Sequence, residues 1–88
     1  MSNEIHRKEL TDMEWATIEA LIPLLHKEKE WEISSFRGKK CLWEREEDQP
    51  FVPEEAVAAL YKASKAVDLP TDSADFLTGI YREFCEKA

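Results

Sequence analysis

From Trp15 onward the large apolar side chains fall at Trp15, Ile18, Leu21, Ile22 and Leu25. Spacings of three and four residues put them on one face of an α-helix. Thr11 and Glu14 stand upstream as a capping box: the hydroxyl can accept from the backbone N–H three residues on, and the carboxylate can reach back. Leu10, just before the cap, is placed to staple against Trp15. The pattern predicts a first helix over about 11–29. Pro23 lies inside it, removing the hydrogen bond to the Glu19 carbonyl and crowding that turn. A kink is therefore expected at Ile22–Pro23, with Leu24 and Leu25 continuing the stripe.

At Trp31 the period changes from about 3.6 to two. Trp31, Ile33 and Ser35 alternate with Glu32, Ser34 and Phe36, and beyond Gly38 the positions Cys41 and Trp43 alternate with Leu42 and Glu44. This predicts a β-hairpin over about 31–46. A three-residue loop of Phe36, Arg37 and Gly38, with Gly38 left-handed, would set Trp31 opposite Trp43 and Ile33 opposite Cys41, one apolar face. A two-residue turn at Gly38-Lys39 would set Ile33 opposite Glu44, so the first register is the expected one.

A polar connection, "EREEDQP", leads to a second helix over about 53–66. Pro53 opens it and Glu54 and Glu55 complement the helix dipole in its first turn. Val57, Leu60, Tyr61 and Ser64 share one side, and Ala56, Ala59, Ala63 and Ala66 allow close approach by another element. Pro70 ends the segment, since the residue before a proline is pushed out of the helical region. A third helix is expected over about 72–86, capped between Asp72 and Asp75, with Phe76, Leu77, Ile80, Tyr81, Phe84 and Cys85 as its stripe. Gly79 within it costs about 1 kcal/mol relative to alanine, so a tight crossing is expected there. Helix, hairpin, helix, helix makes a small α+β fold. One globular domain over 1–88, frayed at 1–9, is expected.

Composition narrows the function. With 88 residues, 43% of them hydrophobic, the chain can build one core and no second. Nineteen acids against twelve bases give a net charge of −7, which opposes general attraction to DNA, RNA or anionic membranes. No window approaches the roughly 18 apolar residues of a membrane span, the first residues carry no apolar run, and two cysteines make no disulfide framework. A cytoplasmic protein with reduced thiols is expected.

Catalytic chemistry finds little support. His6, His26, Cys41 and Cys85 are scattered, with none of the paired spacings that metal ligands show, so neither metal nor cofactor is expected. A thiol nucleophile would need a base within reach, and two distant glycines cannot build a phosphate loop. The second and third helices could imitate a helix-turn-helix, but its recognition helix would lead with Asp72 and Asp75 and lack base-reading side chains. The chain is expected not to be an enzyme. The fourteen residues "LTDMEWATIEALIP" resemble the first helix of a DNA-binding region at the start of some insertion-sequence transposases. The glycine-, proline- and arginine-rich stretch that would follow is replaced by "LLHKEKEWEI", and no function is carried across.

Two surfaces remain. Glu44, Glu46, Glu47 and Asp48, followed by Glu54 and Glu55, form an acidic run that can capture a basic protein surface. Phe36, Arg37, Lys39 and Lys40 at the hairpin tip could grip an acidic partner or a single strand of nucleic acid. The leading expectation is a non-enzymatic acidic interaction module, an inhibitor or DNA-mimicking regulator that binds a basic surface of a nucleic-acid-handling protein. The alternatives are a nucleic-acid binder working through the tip, and a small structural or oligomerisation domain that dimerises through its hairpin edge.

Overall fold

The computed structural model describes residues 9–26 and 29–87. Along them run α1 (Asp12–Leu25), β1 (Trp31–Phe36), β2 (Lys39–Glu44), β3 (Pro50–Phe51), α2 (Pro53–Ser64) and α3 (Thr71–Lys87). The strands form one antiparallel sheet in the order β1-β2-β3. The α+β class is as expected; the third strand is an addition, made from the end of the segment read as a polar connection.

α1 begins at the expected capping box. The Glu14 N–H donates to Thr11 Oγ1 at 3.1 Å and the Thr11 N–H donates to Glu14 Oε1 at 2.9 Å, an arrangement whose cap contributes about 1 kcal/mol. Trp15, Ile18, Leu21, Ile22 and Leu25 are all buried, and Leu10 joins them in the core. The helix runs through Pro23 but ends at Leu25, short of the expected 29, where His26 turns to an extended backbone. The physical reason lies in the next element: the His26 side chain reaches forward, and the Trp31 N–H donates to its Nε2 at 2.9 Å. The imidazole thus ties the end of α1 to the start of the sheet. Residues 27 and 28 of the expected helical exit lie outside the described residues, as do residues 1–8 of the expected frayed segment.

The hairpin register differs from expectation by one residue. Phe36 pairs with Lys39, Ile33 with Leu42 and Trp31 with Glu44, so the turn is Arg37-Gly38, with φ of 56° and 80°. Positive φ at both central residues matches the right-handed twist of the flanking strands. The cost of about 1–2 kcal/mol for arginine there is offset by what the register buries. Leu42 points inward with no exposed surface and lies opposite Phe51 of β3. Cys41 and Trp43, expected on the inner face, belong to the outer one.

α2 and α3 close the core with Ala56, Val57, Leu60, Leu77, Ile80 and Phe84. The hydrogen-bonded end of α2 tightens, as Lys65 and Ala66 donate to carbonyls three residues back, so the helix stops at Ser64 rather than 66. α3 starts at Thr71, one residue early, because the Pro70 carbonyl accepts from the Ala74 N–H at 3.0 Å; Asp72 therefore sits in the first turn instead of capping it. Outside the core, Tyr61 and Tyr81 stack with centroids 4.2 Å apart and planes 4° from parallel, and the Lys65 ammonium lies 4.7 Å from the Tyr61 ring centre. Cys85, expected in the apolar stripe, is exposed.

Gly79 corrects another expectation. It is exposed, and a Cβ built there would meet nothing within 4 Å, so no close crossing requires it. Gly79→Ala should raise stability by about 0.5–1 kcal/mol through helix propensity and reduced unfolded-state entropy. Leu42→Ala, at the centre of the sheet, should cost about 2–5 kcal/mol. Urea unfolding followed by far-UV circular dichroism checks both.

Candidate interaction surfaces

The six acids do not form one surface. Glu44, facing the core at the end of β2, is only 6% exposed, and its Oε2 lies 3.0 Å from Lys29 Nζ. That hydrogen bond, followed by the carboxylate's charge, raises the Lys29 amine above its ordinary titration value. Glu44 is thus withdrawn from any partner by the same inward orientation that buries Leu42. Glu46, Glu47 and Asp48 are exposed in the turn beyond it, where the Glu47 N–H donates to the Glu44 carbonyl at 2.8 Å.

Glu54 and Glu55 lie elsewhere. β3 runs antiparallel to β2, with Pro50 opposite Trp43 and Phe51 opposite Leu42, so the chain travels back toward the hairpin tip before α2 begins. At roughly 3.4 Å per residue, the length of β2 puts about 17 Å between its two ends. Glu46, Glu47 and Asp48 mark one end of the sheet, while Glu54 joins the basic tip at the other.

That tip is where the structure brings candidate residues together. Phe36, Arg37, Lys39 and Lys40 all line an open cleft of about 930 Å³, together with Leu10 and Trp15 from the start of α1 and Val52 before α2. Glu9, Asp12 and Glu54 line it as well, so three cations share the cleft with three carboxylates. Lys40 Nζ lies 3.7 Å from Asp12 Oδ1, and the Arg37 guanidinium stands 5.1 Å from the centre of the Phe36 ring. Large hydrophobic side chains left exposed among the described residues are Met13 and Leu24 on α1, and Phe36 and Val52, 38% and 43% exposed, in the cleft.

The outer face of the hairpin supports this tip. Phe36 meets Trp43 edge to face, with centroids 5.6 Å apart and planes at 75°. Among the described residues the buried Trp43 indole N–H finds no hydrogen-bond partner, a cost the aromatic contact helps to offset. Cys41 is buried beside them; burial pushes its thiol up, and the Lys39 charge opposes the shift. On α3 the Tyr81 phenol is raised, first by its hydrogen bond with the Cys85 side chain. Among the described residues no group of His, Cys, Asp and Glu is placed to hold a metal ion.

The arrangement suits recognition. An apolar floor with charges of both signs around it can seat an apolar side chain and orient the polar groups beside it. Sequence reading identified the basic tip but missed Leu10, Trp15, Val52, Asp12 and Glu9 as its neighbours. The available signal was Phe51, an aromatic two residues before Pro53, whose pairing with Leu42 carries α2 to the tip. Among the described residues no helix is long and apolar enough to cross a membrane. No protein-family model, curated protein or solved structure matches the chain.

The two thiols should be distinguishable in solution. Cys85 should react promptly with an aromatic disulfide reagent at neutral pH. Cys41 should react far more slowly, its equivalent appearing in step with unfolding across a urea series.

Proposed function

We propose that this domain is a non-catalytic protein-interaction module that docks on a basic protein surface through the cleft at the hairpin tip. The observation that carries the reading is the convergence of Phe36 and Val52, both exposed, on one cleft with Leu10 and Trp15 in its wall. Apolar anchors that fill such pockets supply most of the affinity in protein interfaces, while surrounding polar contacts exclude water and set orientation. The net charge of −7 and the exposed Glu46, Glu47 and Asp48 favour a basic partner by steering it in.

The three cations of the cleft face three carboxylates, and a charge-balanced site releases few counterions from a polyanion. This weighs against nucleic acid at the tip. The separation of the acids onto two ends of the sheet likewise lends no support to a row of carboxylates imitating a phosphate backbone. A protein partner with an apolar anchor and a basic surround is the reading that uses both features.

Immobilised domain, loaded with cell extract and eluted in graded salt, tests this against two variants that retain the wild-type circular dichroism spectrum. Phe36→Ser with Val52→Ser should lose the specifically retained protein at every salt concentration. Glu46→Gln with Glu47→Gln and Asp48→Asn should keep it but release it at lower salt. Equal retention by wild type and both variants would overturn the proposal; retained nucleic acid that depends on Arg37, Lys39 and Lys40 would replace it with the alternative.

A further inference from the structure

β1 has one open edge. The turn closes on Phe36 paired with Lys39, and the Arg45 N–H donates to the Glu30 carbonyl at 2.9 Å. With antiparallel alternation, Glu30, Glu32, Ser34 and Phe36 direct their backbone groups at β2, and Trp31, Ile33 and Ser35 direct theirs away from it. Among the described residues, the engaged outward group is the Trp31 N–H, which donates to His26 Nε2. The strand carries no proline or lysine, and its single charge is Glu32, so the usual safeguards against edge pairing are missing. Trp31 and Ile33 are only half-buried within the chain.

We propose that β1 pairs antiparallel with β1 of a second copy about a two-fold axis at Ile33, joining two three-stranded sheets into one of six. A two-fold pairing is isologous, so the strand must complement itself. In this register Ile33 meets Ile33 and Trp31 lies over the small Ser35, all on the core-facing side, while Glu32 meets Ser34 on the outer side. No like charges face each other. A shift by two residues one way sets Glu32 against Glu32; a shift the other way sets Glu32 against Phe36 and carries Trp31 past the strand to Arg37. Like charges directly opposite destabilise a strand pair, and apolar cross-strand pairs stabilise it. The Ile33 N–H and C=O exchange bonds across the axis, and the Ser35 N–H of each copy donates to the Trp31 carbonyl of the other. His26, holding the Trp31 N–H, closes the edge at that end and limits sliding. The pairing covers less surface than a standard stable interface, so the dimer dissociates on dilution.

Analytical ultracentrifugation from low to high micromolar concentration should show the wild-type chain passing from 10.3 kDa to twice that mass. Ser35→Pro removes an outward donor without touching the β1–β2 ladder and should remain monomeric with an unchanged circular dichroism spectrum. Register is read by cross-linking in a Cys85→Ser background. Residues paired by hydrogen bonds across an antiparallel ladder have Cα atoms about 5.5 Å apart, within disulfide reach, so Ile33→Cys should form a covalent dimer under mild oxidation. Ser35→Cys, about 13 Å from its own counterpart, should not. A wild-type monomer at the highest concentration, a dimer that survives Ser35→Pro, or equal cross-linking of the two cysteine variants would each overturn the proposal.

Discussion

Leu42 occupies the middle of the central strand with no exposed surface, between Ile33 on β1 and Phe51 on β3, and the rest of the structure depends on that burial. Side chains alternate along a strand, so turning Leu42 inward also turns Lys40 and Glu44 to the core side and sends Cys41 and Trp43 to the other. The Arg37-Gly38 turn, with both residues left-handed, is the local geometry this register demands. Burying a leucine completely against two strands and the helices outweighs the strain of one non-glycine residue in that region.

Most of the distinctive features follow from this orientation. Glu44 is brought beside Trp31 on the core-facing side, where its carboxylate is stabilised by the Lys29 ammonium at 3.0 Å. A buried carboxylate needs such a partner, because the desolvation cost of an unpaired charge is large. The contact of Leu42 with Phe51 holds β3 antiparallel and returns the chain to the hairpin tip, so the start of α2 and the basic turn share one cleft. On the outer face, Trp43 packs edge to face against Phe36 and so supports the side chain that lines the cleft.

The same sheet has two contrasting ends and two contrasting edges. One end carries the exposed acids at 46–48; the other gathers apolar surface with balanced charge. β3 covers part of the outer edge of β2, while β1, at the other edge, meets among the described residues the His26 side chain at its Trp31 N–H. Exposed Phe36 and Val52 share one cleft, whereas the exposed Met13 and Leu24 lie apart from it on α1.

The sequence by itself determined the helices and the fold class. α1 announced itself through the Thr11–Glu14 box and the spacing from Trp15 to Leu25, and α2 and α3 through Pro53, Pro70 and their apolar stripes; these are local signals, each contained within its own helix. The hairpin was visible from its period of two and Gly38, but its register was not. Inward Cys41 and Trp43 and inward Leu42 and Glu44 are both plausible alternations, and only contacts distant in sequence, Phe51 against Leu42 and Lys29 against Glu44, choose between them. The basic tip was read from its residues, whereas the cleft required knowing that α1 begins beside it and that β3 carries α2 there. The division of the acids has the same origin: six positions apart in sequence, Asp48 and Glu54 are separated because the chain between them runs along the sheet as β3 toward the tip.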